Sequence, residues 1–137
     1  MKIKPIIIVT GQPKSIFYEI FFKSLRNTNY KSPIILISSI KILKSQMKKF
    51  NFKKKIKIIN LDNLKNYNLN NNNLNIINVR YSKDNTKNFI KECFEIAFKI
   101  LKSKFTNKLI NGPINKSEFL DKKFLGITEY ISKKFNI

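Results

Sequence analysis

The residues with the clearest chemical potential follow a short apolar pair near the carboxyl end of the chain. Leu109 and Ile110 are typical of the end of a buried strand, and Asn111 then opens an Asn-Gly-Pro turn. Asn115 and Lys116 follow, at a position where a helix can begin. Backbone N–H groups at a helix start, together with an ammonium group, suit an anion such as a phosphate. The pattern predicts an anion-binding loop, and an ordinary strand-to-helix turn is the alternative.

A second polar loop follows the first apolar run of the chain. Gly11 tolerates backbone angles that other residues avoid, and Gln-Pro follows it directly. A glycine-rich turn at this point would let a ligand approach the backbone closely. Because Lys14 and Phe17 are bulky, we interpret this loop as a structural turn, with ligand contact as the alternative.

Both loops resemble motifs of the 4-hydroxythreonine-4-phosphate dehydrogenase family, the NAD-dependent oxidative decarboxylases of vitamin B6 synthesis. Residues 108–116 and the later Gly-Ile-Thr-Glu at 126–129 resemble that family's "TGPxxK … GHTE" segment. Residues 8–16, with Glu19, resemble its "TPGEPAGIGPE" loop after the first strand. Order and spacing agree across the whole chain. Family members are considerably longer, so the resemblance covers only their amino-terminal part.

The resemblance implies a substrate-binding role for four residues. In that family the His-Thr pair of "GHTE" contacts the phosphorylated substrate. Thr128 matches the threonine, whereas Ile127 stands where the histidine should be and can make no hydrogen bond. The expected substrate-binding set is Thr128, Ile127, Asn111 and Lys116, and helix capping is the alternative role of Thr128. The whole enzyme would oxidise a phosphorylated hydroxy amino acid by hydride transfer to NAD, and the β-keto acid formed would lose CO₂.

The same resemblance implies cofactors that this chain is not expected to bind completely by itself. The family uses NAD and a divalent metal held by histidines, and the chain contains no histidine. Those ligands belong to the part of the family that lies beyond residue 137. We therefore expect no catalytic residue and no metal ligand here, and no turnover by residues 1–137 alone. Family members work as dimers with sites built from both subunits, so a homodimer or a missing carboxyl-terminal half is implied.

The elements that must position these loops alternate between strand and helix. Continuous β-branched runs are typical of strands buried on both faces, as in a parallel sheet. The pattern predicts an α/β fold with a mainly parallel sheet flanked by helices, in one segment spanning residues 1–137. By resemblance it is similar to the isocitrate and isopropylmalate dehydrogenases and incomplete. The predicted strands cover 3–10, 33–37, 53–59, 74–79 and a run ending at 110; the predicted helices cover 15–25, 40–50, 85–104, about 118–120 and 130–135.

Several side chains are assigned within these elements. Ser15 is predicted to cap the first helix, whose apolar face is made by Ile16, Phe17, Ile20, Phe21 and Leu25. Serines at 38 and 39 are predicted to cap the second helix, and Asp or Asn at 84–85 the third. Cys93 lies in the apolar stripe of the third helix, which favours burial as a small hydrophobe over reactivity. The Asn-rich residues 60–75 are predicted to form a flexible surface loop.

The formal net charge of +20 suggests nucleic acid as one possible partner. The lysines are spread almost evenly, however, and Arg26 and Arg80 are the only arginines. Proteins that recognise the bases and phosphates of nucleic acids favour arginine. We therefore interpret the charge as a solvated surface and expect no nucleic-acid partner. No run of about 18 apolar residues exists, so no membrane span is predicted. A single cysteine allows no internal disulfide, which fits a reducing cytoplasm.

The sequence thus favours an amino-terminal segment of a 4-hydroxythreonine-4-phosphate dehydrogenase-like enzyme that binds a phosphorylated small molecule. The alternative is a truncated, non-catalytic module that keeps an anion-binding loop. A basic nucleic-acid-binding domain is a third hypothesis, which would show a steep loss of affinity with salt. The leading hypothesis requires the two polar loops to lie side by side at one edge of a single sheet.

Overall fold

The apolar runs of the chain pair as one parallel sheet. The computed structural model describes residues 3–114 and 127–135, in which all strand pairs are parallel and the strand order is β3-β4-β2-β1-β5. The α/β fold with a parallel sheet flanked by helices, predicted from the sequence, is confirmed. The strands are β1 (Ile6–Val9), β2 (Ile34–Ser38), β3 (Ile56–Ile58), β4 (Leu74–Asn78) and β5 (Lys108–Asn111).

The position of each strand in the sheet explains its burial. All five residues of the central strand β2 are buried, as its unbroken apolar run predicts. The two edge strands are less covered, and Ile58 on β3 and Ile110 on β5 are 61% and 51% exposed. The predicted strand over 53–59 shortens to three residues, since β3 pairs on one side only, with β4.

Four α-helices are described, along with two 3₁₀ helices at Leu61–Asn66 and Lys83–Asn85. Two predicted caps are confirmed, because Ser39 Oγ accepts from the N–H of Ile42 and Asn85 Oδ1 from that of Asn88. The cap predicted at Ser15 is wrong. The first helix begins two residues later, and Ser15 Oγ instead accepts from the N–H of Phe17 at 3.3 Å. The helices are α1 (Phe17–Asn27), α2 (Ile40–Lys49), α3 (Thr86–Lys102) and α4 (Ile127–Lys134).

The apolar face of α1 is rotated from the one that the sequence predicted. Tyr18 and Phe22 are buried, whereas Ile16 and Ile20 are 62% and 57% exposed. Aromatic side chains bury more area than isoleucine, and the ring of Phe22 stacks on Phe52 with centroids 4.4 Å apart. The larger rings therefore decide which side of α1 faces the sheet.

The connections place helices on both faces of the sheet. The connections β1→β2 and β2→β3 run toward the β3 edge, and those from β3→β4 and β4→β5 run toward the β5 edge. Since parallel crossovers are right-handed, α1 and α2 lie on one face and α3 lies on the other. Helix α3 contacts β1 and β2.

Helix α3 carries the core of its face. Cys93 is 1% exposed there, as predicted, and burial raises the pKa of its thiol. Helix α4 packs on α3 through Tyr130, whose ring lies 6.0 Å from both Phe94 and Phe98, and through Phe135, which meets Phe98 edge-on. None of the described helices is long and apolar enough to cross a bilayer.

The Asn-rich segment is more structured than a low-complexity loop. Its 3₁₀ helix buries Leu64 against the core. Asn71 bridges two elements: its Oδ1 accepts from the N–H of Ile34, and its Nδ2 donates to the carbonyls of Tyr30 and Ser32. One asparagine of the run thus ties the segment to the start of β2.

Asn71→Ala should lower the free energy of unfolding by about 1–3 kcal/mol, because three backbone groups lose their partner. Asn72→Ala is the matched control, since Asn72 is exposed and only its backbone N–H is hydrogen-bonded among the described contacts. Urea unfolding followed by circular dichroism measures both. Equal effects of the two substitutions would contradict a bridging role for Asn71.

Candidate functional site

The two polar loops picked out in the sequence lie side by side at the carboxyl edge of the sheet. Strands β1 and β5 are neighbours, with Val9 in register with Asn111. The N–H of Gly112 donates to the carbonyl of Val9, and the N–H of Gln12 donates to the carbonyl of Pro113, both at 2.7 Å. The predicted adjacency of the two loops is confirmed. We call residues 10–12 and 111–113 together the loop corner.

Two glycines make this contact possible. Gly11 has a φ of +79°, and a Cβ built on it would lie 2.3 Å from the carbonyl oxygen of Pro113. A Cβ on Gly112 would lie 2.1 Å from the carbonyl oxygen of Thr10. The space beside each glycine is therefore filled by the backbone of the other loop. This contact supports the structural-turn interpretation of Gly11, because the space that a ligand would need is already occupied.

Asn111 is the one predicted substrate-binding residue whose side chain is described. It ends β5, is partly buried, and its Nδ2 donates to the carbonyl of Gly112 at 3.1 Å. An amide nitrogen carries two hydrogens, so one donor stays within the loop and a second remains for a ligand. Lys116 lies outside the described residues, and its role stays a prediction.

Ile127 and Thr128 form the first turn of α4, and only their backbone is described. Tyr130 packs near the middle of α3, whereas Phe135 lies under the amino group of Lys102 at its end. Helix α3 begins at the carboxyl edge of the sheet, so the amino-terminal end of α4 is the end directed toward that edge. The roles of Ile127 and Thr128 stay predictions.

A buried group of hydroxyls lies beneath the loop corner, and the sequence analysis missed it. Ser38 Oγ lies 2.8 Å from both Thr10 Oγ1 and Tyr18 Oη. Burial raises the pKa of Tyr18 to about 12, although its hydrogen bonds to Ser38 and Thr10 lower it. The phenol is therefore neutral at physiological pH and joins α1 to the ends of β1 and β2. The sequence did contain a signal for this group of hydroxyls, because Thr10 directly follows the buried strand β1 and Ser38 ends the buried strand β2.

The described residues at this corner offer no ligand set for the metal that the resemblance implies, and none of them is assigned to the cofactor. Among the described residues, no group of three or more His, Cys, Asp or Glu side chains could hold a metal ion. We derive no chemical step through either group.

Solved structures of dehydrogenases contain a similar fold. A 4-hydroxythreonine-4-phosphate dehydrogenase from Klebsiella pneumoniae superposes with a TM-score of 0.75 at 19% identity, covering 95% of this chain and 44% of its own. A 4-hydroxythreonine-4-phosphate dehydrogenase from Burkholderia phymatum superposes with a TM-score of 0.76 at 16% identity, covering 96% of this chain and 43% of its own. A candidate enzyme of that name from Salmonella typhimurium superposes with a TM-score of 0.77 at 16% identity, covering 95% of this chain and 44% of its own.

These similarities establish the fold and its extent. The chain spans less than half the length of the dehydrogenases that it resembles. No protein-family model matches the sequence, and no curated protein sequence matches it significantly.

Gly112→Ala should destabilise the protein by about 2–4 kcal/mol, because the added methyl group must displace the backbone at Thr10. Pro113→Ala is the control, since its side chain is exposed and its carbonyl remains to accept from Gln12. It should cost about 1 kcal/mol or less, chiefly through the unfolded chain. Chemical denaturation measures both, and a Gly112 variant as stable as the wild type would refute the backbone contact.

Tyr18→Phe should make stability less sensitive to alkaline pH. The folded-state pKa of about 12 lies above the ordinary tyrosine pKa of 10.0, so this group's stabilisation is complete below pH 10 and is lost as pH rises through 12. Between pH 9 and 11 the wild type should lose about 1 kcal/mol more than the variant. Tyr81→Phe, a half-buried tyrosine with its ring on Phe89, is the control for urea unfolding at each pH. Parallel pH profiles for wild type and Tyr18→Phe would exclude the linkage.

Proposed function

We propose that this chain is the amino-terminal part of a 4-hydroxythreonine-4-phosphate dehydrogenase-like enzyme and supplies the phosphate side of its substrate site. The complete enzyme would oxidise a phosphorylated hydroxy amino acid with NAD, and decarboxylation would follow. The supporting observation is the loop corner itself. Two motifs that lie about 100 residues apart in sequence meet there, at the edge of a parallel sheet where α/β folds bind ligands.

The corner offers groups that can bind and orient an anion but none that can perform the oxidation. Asn111 retains an amide donor, and the start of α4 is directed toward the same edge. Lys116 and Thr128 would add an ammonium and a hydroxyl group by the resemblance. The metal ligands and the nicotinamide site would come from outside these 137 residues.

The outer edge of the sheet supports an assembly with further protein. Strand β5 ends the described sheet on one side, and Ile110 on it is half exposed. Ile16, which precedes α1, and Ile20 on α1 are both exposed, and Phe17 of α1 lies against Gly112 of the loop corner. A carboxyl-terminal half or a second copy of the chain would cover such apolar side chains. We assign the reducing cytoplasm as the compartment of this assembly.

A second candidate function is a non-catalytic module that binds an anion at the same corner. The sequence favours it at one point, because Ile127 replaces the histidine of the family motif and the chain contains no histidine. Both proposals require a phosphate-binding corner, and they differ in whether a complete assembly turns the substrate over.

Binding of 4-phosphohydroxythreonine tests the corner directly. In a nuclear magnetic resonance titration, the amide signals of Asn111, Gly112 and the first turn of α4 should shift. Thr128→Val should weaken binding about tenfold or more, as expected for a lost hydrogen bond to a charged group. Thr28→Val is the control, because Thr28 is exposed at the opposite end of α1. Unchanged affinity in the Thr128 variant would leave that residue as a helix cap alone.

The purified chain should show no NAD reduction with 4-phosphohydroxythreonine and any divalent metal, since it lacks the metal ligands. The absorbance of NADH monitors the reaction, and a complete dehydrogenase of the family under the same conditions is the positive control. Measurable turnover would overturn the argument from the missing histidines.

A further inference from the structure

The sheet contains a second place where ligands bind in open α/β folds, next to the loop corner. The connection leaving β2 runs toward the β3 edge, and the connection leaving its neighbour β4 runs toward the β5 edge. Helices α2 and α3 therefore leave these adjacent strands on opposite faces. Outside the carboxyl ends of such a pair the chain leaves a crevice, and this switch point is a general ligand position.

A cleft of about 460 Å³ lies at this switch point. It is bounded by the loop after β1, the first half of α2 and the segment that follows β4. Its volume falls within the range of small-molecule sites, roughly 300–1,000 Å³. We call it the switch-point cleft.

The charged residues that line the cleft are all of one sign. Lys14, Lys41, Arg80 and Lys83 line it, and no carboxylate occurs among the described lining residues. All four cations are exposed, and none of them forms an ion pair within the described part of the chain. Asp84 follows Lys83 directly but does not line the cleft. Four cations from three separate segments thus converge without a protein counter-ion.

Volume alone does not single out this cleft. Two others, of about 480 and 560 Å³, lie at the opposite edge of the sheet, around Pro33 at the start of β2. Open α/β folds do not bind their ligands at the amino ends of the strands. Of these three clefts, the switch-point cleft alone combines the carboxyl edge, opposite connections and convergent cations.

At the start of α2 side chains are the main donors to the cleft, because two of the backbone N–H groups there are already hydrogen-bonded. The N–H of Ile40 donates to Asn78 Oδ1 at 2.9 Å, and that of Ile42 donates to Ser39 Oγ. Arg80 presents a planar fork that matches a phosphate or carboxylate, and the lysines add point charges around it. Ser45 and Gln46 on α2 add neutral hydrogen-bonding groups to the lining.

We propose that the switch-point cleft binds a small phosphorylated metabolite that carries at least two closely spaced negative charges. The site is distinct from the loop corner and does not depend on the dehydrogenase proposal. A compact ligand fits better than a nucleic acid strand, because the four cations come from three segments and line a single cleft of about 460 Å³.

Pyrophosphate is the probe that tests this site in the full 137-residue chain at physiological salt. Isothermal titration calorimetry should give saturable binding with one site. In a nuclear magnetic resonance titration the amide signals of residues 80–83 and 41–46 should shift, while those of Asn111 and Gly112 should not. Shifts confined to Asn111 and Gly112 would overturn the proposal and leave the loop corner as the anion site.

A charge-matched pair of variants separates a built site from general basicity. Lys41→Gln with Arg80→Gln should weaken pyrophosphate binding at least tenfold, because two charge-assisted contacts are lost. Lys91→Gln with Lys99→Gln removes the same charge from exposed positions on α3 and should change the affinity less than twofold. Thermal unfolding confirms that all variants fold, since the four residues are exposed.

Three results would contradict the proposal. Equal weakening in both double variants would show a net-charge effect only, and the absence of saturable binding would exclude a site. An oligonucleotide that binds more tightly than pyrophosphate and depends equally on Lys41 and Arg80 would assign the cleft to nucleic acid instead.

Discussion

The backbone contact between the two loops of the corner is the constraint on which the carboxyl edge of the sheet depends. Each loop fills the space beside the other's glycine, so Gly11 and Gly112 are held against Pro113 and Thr10 without any side chain between them. Two hydrogen bonds of 2.7 Å extend the β1–β5 pairing past the ends of the strands. Because β5 pairs only with β1 among the described strands, this contact also fixes the edge of the sheet.

The consequences of this contact reach into the core through Thr10. Its carbonyl lies against Gly112, and its hydroxyl bonds to Ser38, which also bonds to Tyr18 on α1. A buried network in which every member is paired specifies one arrangement, because any shift leaves a polar group without a partner. The position of α1 over the sheet and the positions of the loops are therefore set together. The network and the burial of the larger rings therefore act together to turn Tyr18 and Phe22 inward and leave Ile16 and Ile20 exposed.

Much of the fold could be predicted from the sequence because burial on both faces leaves a distinct pattern. The run at β2 is unbroken and the strand is fully buried, and Ser39 and Asn85 cap the helices that local spacing indicated. The face of α1 was predicted only in part: Phe21 is buried and Phe17 and Leu25 pack against the core, but Ile16 and Ile20 are exposed. Hydrophobicity and spacing do not reveal that the hydroxyl of Tyr18 finds Ser38 across the fold. Asn71 escaped prediction for a similar reason: its partners in residues 30–34 are distant in sequence.

The candidate site was less predictable than the fold, and the reason is geometric. Motif order correctly placed the two loops together, but whether a glycine leaves room for a ligand depends on what lies opposite it. At Gly11 the carbonyl of Pro113 fills that room. The cations of the switch-point cleft come from three segments, and each looks like an ordinary surface lysine or arginine in a chain of net charge +20. Only strand order brings them together.

The high charge of the chain therefore has two separate components. An even spread of lysines keeps a protein soluble and binds polyanions weakly, with an affinity that depends on the total charge. Cations that converge on one cleft produce an affinity that depends on where they lie in the fold, because several of them act on one ligand at short range. Composition determines the first component and topology determines the second. A chain rich in lysine for compositional reasons can thus still carry a specific anion site, provided that the fold gathers a few of those lysines at a crevice.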